Sequence, residues 1–138
     1  LNENIWKAIY EHYRPRYKGD DIPYSKLGKV LSILDKWDNI LSLFMVGEIP
    51  SGSKDPYGLR RDGNGIVEIL YQSKWDIDVW KLYHLTKKYY DIDENREREL
   101  YDFWFARIKG LLDEFDFSYD SKNVVLSSGI LNPYDVFL

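Results

Sequence analysis

Residues 25–45, SKLGKVLSILDKWDNILSLFM, carry apolar side chains at steps of three and four residues. This spacing places them along one face of an α-helix, and the stripe is broad enough to predict a central helix. Ser25 is predicted to cap the helix, because a serine hydroxyl accepts a hydrogen bond from a free N–H group of the first turn. The stripe consists of Leu27, Val30, Leu31, Leu34, Trp37, Leu41 and Phe44.

The same periodicity recurs along most of the chain and predicts an all-α fold, a helical bundle. The last helical piece is predicted to begin with Asn132 as N-cap and Pro133 as first helical residue. The charged segment 91–99 predicts a boundary between a first region, 1–90, and a second region, 91–138. The further helices are predicted over residues 3–13, 56–71, 75–90, 95–115, 119–127 and 132–138. The helix at 95–115 has the stripe Leu100, Phe103, Trp104, Ile108, Leu111 and Leu112.

The composition restricts the class of protein. Apolar residues occupy 44% of the 138 positions, which is sufficient for a buried core and argues against disorder. The sequence contains no cysteine, which excludes disulfides, thiolate metal sites and a cysteine nucleophile. No apolar run approaches the roughly 20 residues that span a bilayer, so no membrane partner is predicted. The net charge of −4 requires any RNA contact to use a local basic patch.

Residues 47–70, GEIPSGSKDPYGLRRDGNGIVEIL, combine a loop rich in Gly, Pro and Ser with the start of a helix. Asp55 is predicted to cap this helix and Pro56 to be its first residue. Lys54, Arg60 and Arg61 cluster around the same point. Cations beside the free N–H groups of a helix start form a phosphate site.

An internal role for the two arginines is equally compatible with the sequence. Arg60 or Arg61 could pair with Asp35 or Asp38 of the preceding helix, because a partly buried carboxylate needs a cationic partner. Arginine serves both purposes, so the residue types alone leave the two interpretations balanced.

A metal site is a further alternative. Asp35 and Asp38 lie three residues apart and share a helix face, and His12 ends the first helix. Imidazole and carboxylate groups on neighbouring helices are a donor set for a divalent metal. We favour the simpler interpretation of a surface acidic pair and an ordinary polar histidine, because a second histidine is missing from the set.

Three stretches resemble one protein family. Residues 47–70 resemble the segment G-x-x-P-[TS]-G-S-K-D-P-[FY]-x-L-R-R-x-x-x-G-I-x-x-I-L of the beta subunit of bacterial heterotetrameric glycyl-tRNA synthetases. Residues 8–44, AIYEHYRPRYKGDDIPYSKLGKVLSILDKWDNILSLF, resemble the segment that precedes it in the family, and residues 100–137 resemble a later segment more loosely.

The resemblance implies a fragment from the later part of a beta subunit. The alpha subunit of that family holds the aminoacylation site for glycine and uses ATP and Mg, whereas the beta subunit chiefly binds tRNA and assembles with alpha. Residues 11–13 and 35–38 fall in a region that resembles a degenerate HD hydrolase domain, with an anticodon-binding domain expected beyond Leu138. We therefore expect no catalytic residue and no cofactor in this fragment. The expected partners are the alpha subunit and tRNA(Gly), in the cytoplasm.

The resemblance also assigns roles to single residues. Lys54, Arg60 and Arg61 match the family segment and are the expected RNA contacts, while Asp55 matches as the helix cap. The chain departs from the family at Gly58, Asp62 and Gly63, which predicts a weakened helix start and an acidic group beside the arginines. The alternatives to this function are a metal-dependent HD-type phosphohydrolase that uses His12, Asp35 and Asp38, and a helical protein-interaction module.

Overall fold

The structure, a computed structural model, describes residues 2–115 and 118–135. Within these ranges the chain forms helices and no β-strand, which confirms the predicted all-α fold. A 3₁₀ turn, Lys87–Tyr89, follows the fourth helix. The helices are α1 (Glu3–Glu11), α2 (Lys26–Met45), α3 (Leu59–Gln72), α4 (Val79–Thr86), α5 (Glu94–Asp113) and α6 (Tyr119–Ser127).

The chain divides into two compact units, Leu1–Ile69 and Leu70–Leu138. The charged segment 91–99 belongs to the second unit, where it leads into α5. The division into an HD-domain-like helical region, 1–90, and a helical segment that leads toward an anticodon-binding domain, 91–138, stays a prediction. No helix of the described residues is long and apolar enough to cross a membrane.

In the first unit, α2 buries a different edge from the one that its stripe predicts. Trp37, Leu41 and Phe44 are buried as expected, together with Ile33 and Ile40. Of the other four predicted members, Leu31 is half-buried, and the exposed fraction is 43% at Leu27, 38% at Val30 and 57% at Leu34. Apolar residues cover more than half of this helix, so its own periodicity does not identify the edge that packs against its neighbours.

A buried carboxylate joins the end of α1 to the start of α2. Glu11 accepts hydrogen bonds from the backbone N–H groups of Tyr24 and Ser25, both at 2.8 Å, and from the Ser25 hydroxyl. The Ser25 hydroxyl in turn accepts from Gly28 N at 3.0 Å, which confirms Ser25 as the N-cap of α2. A methyl group at Gly28 would lie 2.9 Å from Glu11 Cγ and Cδ, so this approach requires glycine.

In the second unit, α5 buries every residue of its predicted stripe. Leu100, Phe103, Trp104, Ile108, Leu111 and Leu112 are all buried. The N-cap of α5 is Asp93, which accepts from Arg96 N at 2.9 Å. The predicted helix over 75–90 begins later, at Val79, because Asp78 is its N-cap and accepts from the N–H groups of Trp80 and Lys81.

The segment after α6 is held against the start of α4. Val79 N donates to Leu131 O at 2.9 Å, and Leu131 N donates to the Asp78 carboxylate at 3.2 Å. Asn132 donates to Asp76 at 2.6 Å and accepts from Tyr134 N at 3.1 Å. The second contact is a side-chain to backbone hydrogen bond of the kind that a cap forms, but the described residues after α6 form no α-helix. The helical piece predicted over 132–138 therefore stays a prediction, and its residues 136–138 lie outside the described residues.

Candidate functional site

The loop before α3 closes in a tight turn that carries one of the predicted RNA contacts. Ser51 N donates to Lys54 O at 3.0 Å, and Lys54 N donates to Ser51 O at 2.9 Å. The two residues therefore form an isolated antiparallel bridge. Lys54 is exposed, so the turn presents its ammonium group to solvent.

Asp55 caps α3 with both carboxylate oxygens. One oxygen accepts from Leu59 N and the other from Arg60 N, each at 2.9 Å. The helix begins at Leu59 and not at Pro56 as predicted, because the backbone of Gly58 has a φ of +66° and cannot belong to a right-handed helix.

The capping carboxylate changes what this helix start can bind. The N–H groups of Leu59 and Arg60 already donate to a negatively charged side chain. A phosphate at these two groups would have to displace Asp55 and its charge. Anion binding at this end of α3 therefore depends on the lysine and arginine side chains.

Arg61 turns back over the loop. A methyl group built on Gly58 would lie 2.6 Å from Arg61 Nη2 and 3.0 Å from Arg61 Cζ, so the guanidinium rests directly on the glycine backbone. Arg61 is nevertheless an exposed residue, whereas Arg60 is half-buried. Consecutive residues of an α-helix are rotated by about 100° about the helix axis. The side chains of Arg60 and Arg61 therefore leave the helix in different directions.

The internal pairing that the sequence allowed is not observed. Across the described part of the chain, neither Arg60 nor Arg61 forms an ion pair with Asp35 or Asp38. Asp38 accepts a long hydrogen bond, 3.3 Å, from Ser42 of its own helix. The RNA-contact interpretation of the two arginines stays a prediction.

Asp62, the acidic group that was expected beside the arginines, is engaged by α2. Its carboxylate is half-buried and accepts a hydrogen bond from Asn39 Nδ2 at 2.6 Å. Burial raises the pKa of Asp62, and the Asn39 hydrogen bond with the charges of Lys36 and Arg61 opposes that rise. The contact with Asn39 ties this carboxylate to the preceding helix.

Lys36 is buried in the same unit, and its hydrogen-bond acceptors among the described residues are neutral. Its ammonium donates to Tyr13 O and Arg14 O, both at 3.2 Å, and to Ser32 Oγ at 2.8 Å. Burial lowers the pKa of Lys36, while the carboxylates of Asp62 and Asp35 act in the opposite direction. The ammonium fastens the turn after α1 to the middle of α2.

The predicted metal ligands do not converge. His12 contacts Ile9 O through Nδ1 at the end of α1, and Asp35 and Asp38 are exposed on α2. Over residues 2–115 and 118–135, no group of three or more His, Asp or Glu side chains is arranged to hold a metal ion. The residues present therefore do not fit a divalent metal, and the hydrolase alternative has no site in the described structure.

Sequence reasoning missed three residues that organise this region: Glu11, Lys36 and Asn39. It expected Gly58 to weaken the start of α3 but did not predict its left-handed backbone. The burial of Lys36 could have been predicted, because Lys36 lies three residues after Ile33 and four before Ile40, on the apolar side of α2. A left-handed turn at Gly58 was also compatible with the sequence, because a glycine that follows a capping aspartate can adopt a positive φ.

Comparison with known proteins identifies the family. A family model described as "Glycyl-tRNA synthetase beta subunit" matches residues 1–127. The glycine–tRNA ligase beta subunit of Shouchella clausii (strain KSM-K16) is 39% identical over 140 residues, which cover 96% of this chain and 20% of that protein.

Two further relatives with the same name agree with this match. The Bacillus subtilis (strain 168) protein is 41% identical over 133 residues, with 96% of this chain and 19% of that protein covered. The Clostridioides difficile (strain 630) protein is 38% identical over 141 residues, with 99% and 20% covered. The chain spans about a fifth of the length of these relatives. Since the family model and the relatives both cover nearly all of it, this chain belongs to the glycyl-tRNA synthetase beta-subunit family.

Proposed function

We propose that this chain is part of the tRNA-binding beta subunit of a glycine–tRNA ligase and supports ATP-dependent glycylation of tRNA(Gly) without carrying the catalytic site. The observation that carries the proposal is the arrangement of Lys54, Arg60 and Arg61 around the capped start of α3. Lys54 and Arg61 are exposed at this end of α3 and Arg60 is half-buried, which places cationic side chains where a phosphate could reach them.

The chemistry of these side chains suits an RNA backbone. A guanidinium group donates two parallel hydrogen bonds to a phosphate, and a lysine ammonium adds a mobile point charge. The chain as a whole carries a net charge of −4, so a local patch has to supply the attraction. Because the side chains of Arg60 and Arg61 leave the helix in different directions, each would contact a different phosphate.

Catalysis is assigned to the partner subunit in this proposal. The alpha subunit would bind glycine, ATP and Mg in the cytoplasm, and this chain would contribute tRNA contact and subunit assembly. The buried groups of the first unit are consistent with such a division. The side chains of Glu11 and Lys36 form hydrogen bonds with the loop between α1 and α2, so neither is presented to a substrate.

Measurement of tRNA(Gly) binding by the assembled ligase tests the proposal. The variants are Arg60→Ala, Arg61→Ala and the double variant, with Arg98→Ala as a control, because Arg98 is an exposed arginine on α5. Each lost phosphate contact should weaken binding and reduce the slope of log affinity against log salt by about 0.7 to 0.9. Unchanged affinity and slope in the double variant would refute the RNA role, and lost thermal stability in its place would indicate a structural role.

A further inference from the structure

We propose that the turn after α1, residues 13–18, is a second RNA contact, in which the Tyr17 ring stacks on an unpaired base and the Arg16 guanidinium binds a phosphate beside it. This inference rests on the proposed function, because it adds a contact of a different chemistry to the cations at the start of α3. Residues 13–18 are called the tyrosine–arginine turn below.

The tyrosine–arginine turn has the residue types that bind unpaired RNA. Its sequence, YRPRYK, contains two tyrosines, three basic residues and no acidic residue. Aromatic rings stack on the bases of single-stranded loops and ends, and arginine adds charge to such a platform. Tyr17 is exposed to a fraction of 60%, so its ring is accessible to a base.

Asp20 holds Arg16 in place beside both tyrosine rings. The Asp20 carboxylate accepts from Arg16 N at 2.8 Å and from Arg16 Nε at 3.0 Å. Arg16 Cζ lies 5.7 Å from the centroid of the Tyr13 ring and 5.7 Å from that of the Tyr17 ring. The hydrogen bond from Arg16 lowers the pKa of Asp20 to about 2, so the carboxylate is charged at neutral pH. A guanidinium that is held before the ligand arrives loses less conformational entropy on binding.

The pair with Asp20 leaves part of Arg16 for a ligand. The two short contacts use the backbone N–H and Nε, and the contact between Nη2 and Asp20 is long, at 3.5 Å. Nη1 donates to no residue that the structure describes, and 48% of the side chain is exposed. A guanidinium has five N–H donors, so Arg16 can bind a phosphate oxygen while Nε stays on Asp20.

The tyrosine–arginine turn lies next to the helix that carries Arg61. The Lys36 ammonium donates to two carbonyl groups of the turn and fastens it to α2. A methyl group built on Gly65 of α3 would lie 2.9 Å from Lys36 Cε and 3.4 Å from Pro15 Cδ, so α3 closely approaches the same point. Arg61 lies four residues before Gly65, on the same face of α3. The proposed contacts at Arg16 and Arg61 therefore belong to neighbouring segments of the first unit, and one RNA molecule can reach both.

A protein surface is the alternative occupant of an exposed tyrosine, because protein interfaces are also enriched in Tyr and Arg. Lysine is depleted from such interfaces, whereas the tyrosine–arginine turn carries Lys18 and two arginines within six residues. The chain as a whole has a net charge of −4, so this local excess of positive charge favours a polyanion.

The first experiment measures tRNA(Gly) binding by the assembled ligase at several salt concentrations. Arg16→Ala should weaken binding and reduce the slope of log affinity against log salt by about 0.7 to 0.9, because it removes one phosphate contact. Tyr17→Ala should weaken binding about tenfold and keep the wild-type slope, because the ring carries no charge. Tyr17→Phe should recover the loss, because it keeps the ring.

Two features of the variants keep the measurement specific. Tyr24→Ala is the matched control, because Tyr24 lies in the same loop with an exposed fraction of 94%, and it should bind as the wild type does. Arg16→Ala also breaks the pair with Asp20, whereas Tyr17→Ala removes only an exposed ring. Full binding by Tyr17→Ala would therefore overturn the stacking contact whatever Arg16→Ala does to the stability of the turn.

The second experiment distinguishes RNA from a protein partner. Nitration of tyrosines by tetranitromethane, followed by mass spectrometry, is compared in the ligase with and without tRNA(Gly). Tyr17 should react readily without tRNA and be protected by it, whereas Tyr24 should react equally in both states. Equal reaction of Tyr17 in both states would overturn the contact, and so would protection in the absence of tRNA, which would mean that a protein surface covers Tyr17.

The two proposed contacts can fail separately. Full binding by Arg16→Ala and Tyr17→Ala, with weakened binding by the Arg60→Ala/Arg61→Ala double variant, would overturn the turn contact alone. The reverse result would support the turn contact and refute the contact at the start of α3. Full binding by all of these variants would overturn both.

Discussion

Asn39 on α2 donates a hydrogen bond of 2.6 Å to the half-buried carboxylate of Asp62 on α3. The two residues are separated by the entire loop that carries Lys54 and Asp55. The contact gives the acidic side chain of α3 a partner within the protein. It also links the helix with the candidate arginines to the helix that forms the core of the first unit.

Removal of the Asn39 amide should destabilise the protein. Asn39→Ala leaves the Asp62 carboxylate half-buried without its hydrogen bond, which should cost about 1 to 3 kcal/mol in the free energy of unfolding. Urea unfolding measures the loss. Asn64→Ala is the control, because Asn64 is an exposed asparagine on α3, and an equal loss in the control would contradict the role assigned to the Asn39–Asp62 contact.

The buried carboxylate of Glu11 should make stability depend on pH in the acid range. Burial raises its pKa, but the hydrogen bonds from Ser25 and Tyr24 outweigh this effect and lower the pKa below the ordinary value of 4.5. A group whose pKa is lower in the folded state contributes stability above its unfolded pKa and loses it as the pH falls through the folded one.

The measurement is the free energy of unfolding of the wild type and Glu11→Gln between pH 7 and pH 3. The advantage of the wild type over the variant should be largest above pH 4.5 and should shrink as the pH falls below it. Glu99→Gln serves as the control at an exposed glutamate of α5. A wild-type advantage that grows toward pH 3 would contradict the charged form of Glu11 in the folded protein.

Lys36 should produce a pH dependence in the alkaline range. Its pKa is lowered from 10.5 by burial, so the unfolded chain holds the proton to a higher pH than the folded protein does. Stability should therefore rise with pH toward 10.5 and be reduced at lower pH, where the buried ammonium is charged in both states. Lys36→Met removes this titration.

The wild type should accordingly gain stability relative to Lys36→Met as the pH rises from 7 to 10. Lys26→Met, at an exposed position in the first turn of the same helix, should keep a constant difference from the wild type. Thermal unfolding in a series of buffers provides the data. A flat difference for both variants would mean that the Lys36 ammonium is not disfavoured in the folded state.

Asn132 should be essential for the segment that follows α6. Asn132→Ala removes the hydrogen bond to Asp76 and the cap that accepts from Tyr134 N. We expect a loss of about 1 to 3 kcal/mol in unfolding free energy, and faster hydrogen exchange at Val79 N, which donates to Leu131 O. Asn123→Ala, at an exposed residue of α6, should leave both measurements unchanged.

Individual elements differ in how much of them could be predicted from the sequence. The stripe of α5 was identified completely, because its aliphatic residues and Trp104 are concentrated on one face of that helix among charged residues. For α2 the stripe was only half correct, since Leu34 is exposed and Lys36 is buried. Apolar residues on both sides of α2 compete for the core, and the contacts of neighbouring elements decide between them.

The candidate site shows the same division. Asp55 was recognised as a cap from its residue type, but the start of α3 was placed three residues early. A glycine permits a left-handed turn without requiring one, and the structure shows that Gly58 adopts it. His12, Asp35 and Asp38 have the residue types of a metal site, and the packing of α1 on α2 does not bring them together. Residue type indicates which chemistry is available, but the distance between side chains is a property of the packed structure.

The sequence by itself determined the all-α fold, most helix positions, the cap at Ser25, and the family. All of these depend on local spacing or on an ordered run of residue types, which a chain carries before it folds. Only the tertiary structure decided that Arg61 rests on Gly58, that Asn39 binds Asp62, and that Lys36 is buried among carbonyl groups. These contacts depend on where a side chain lies relative to backbone that the turn and the packed helices bring to it, and spacing along the chain does not specify that position.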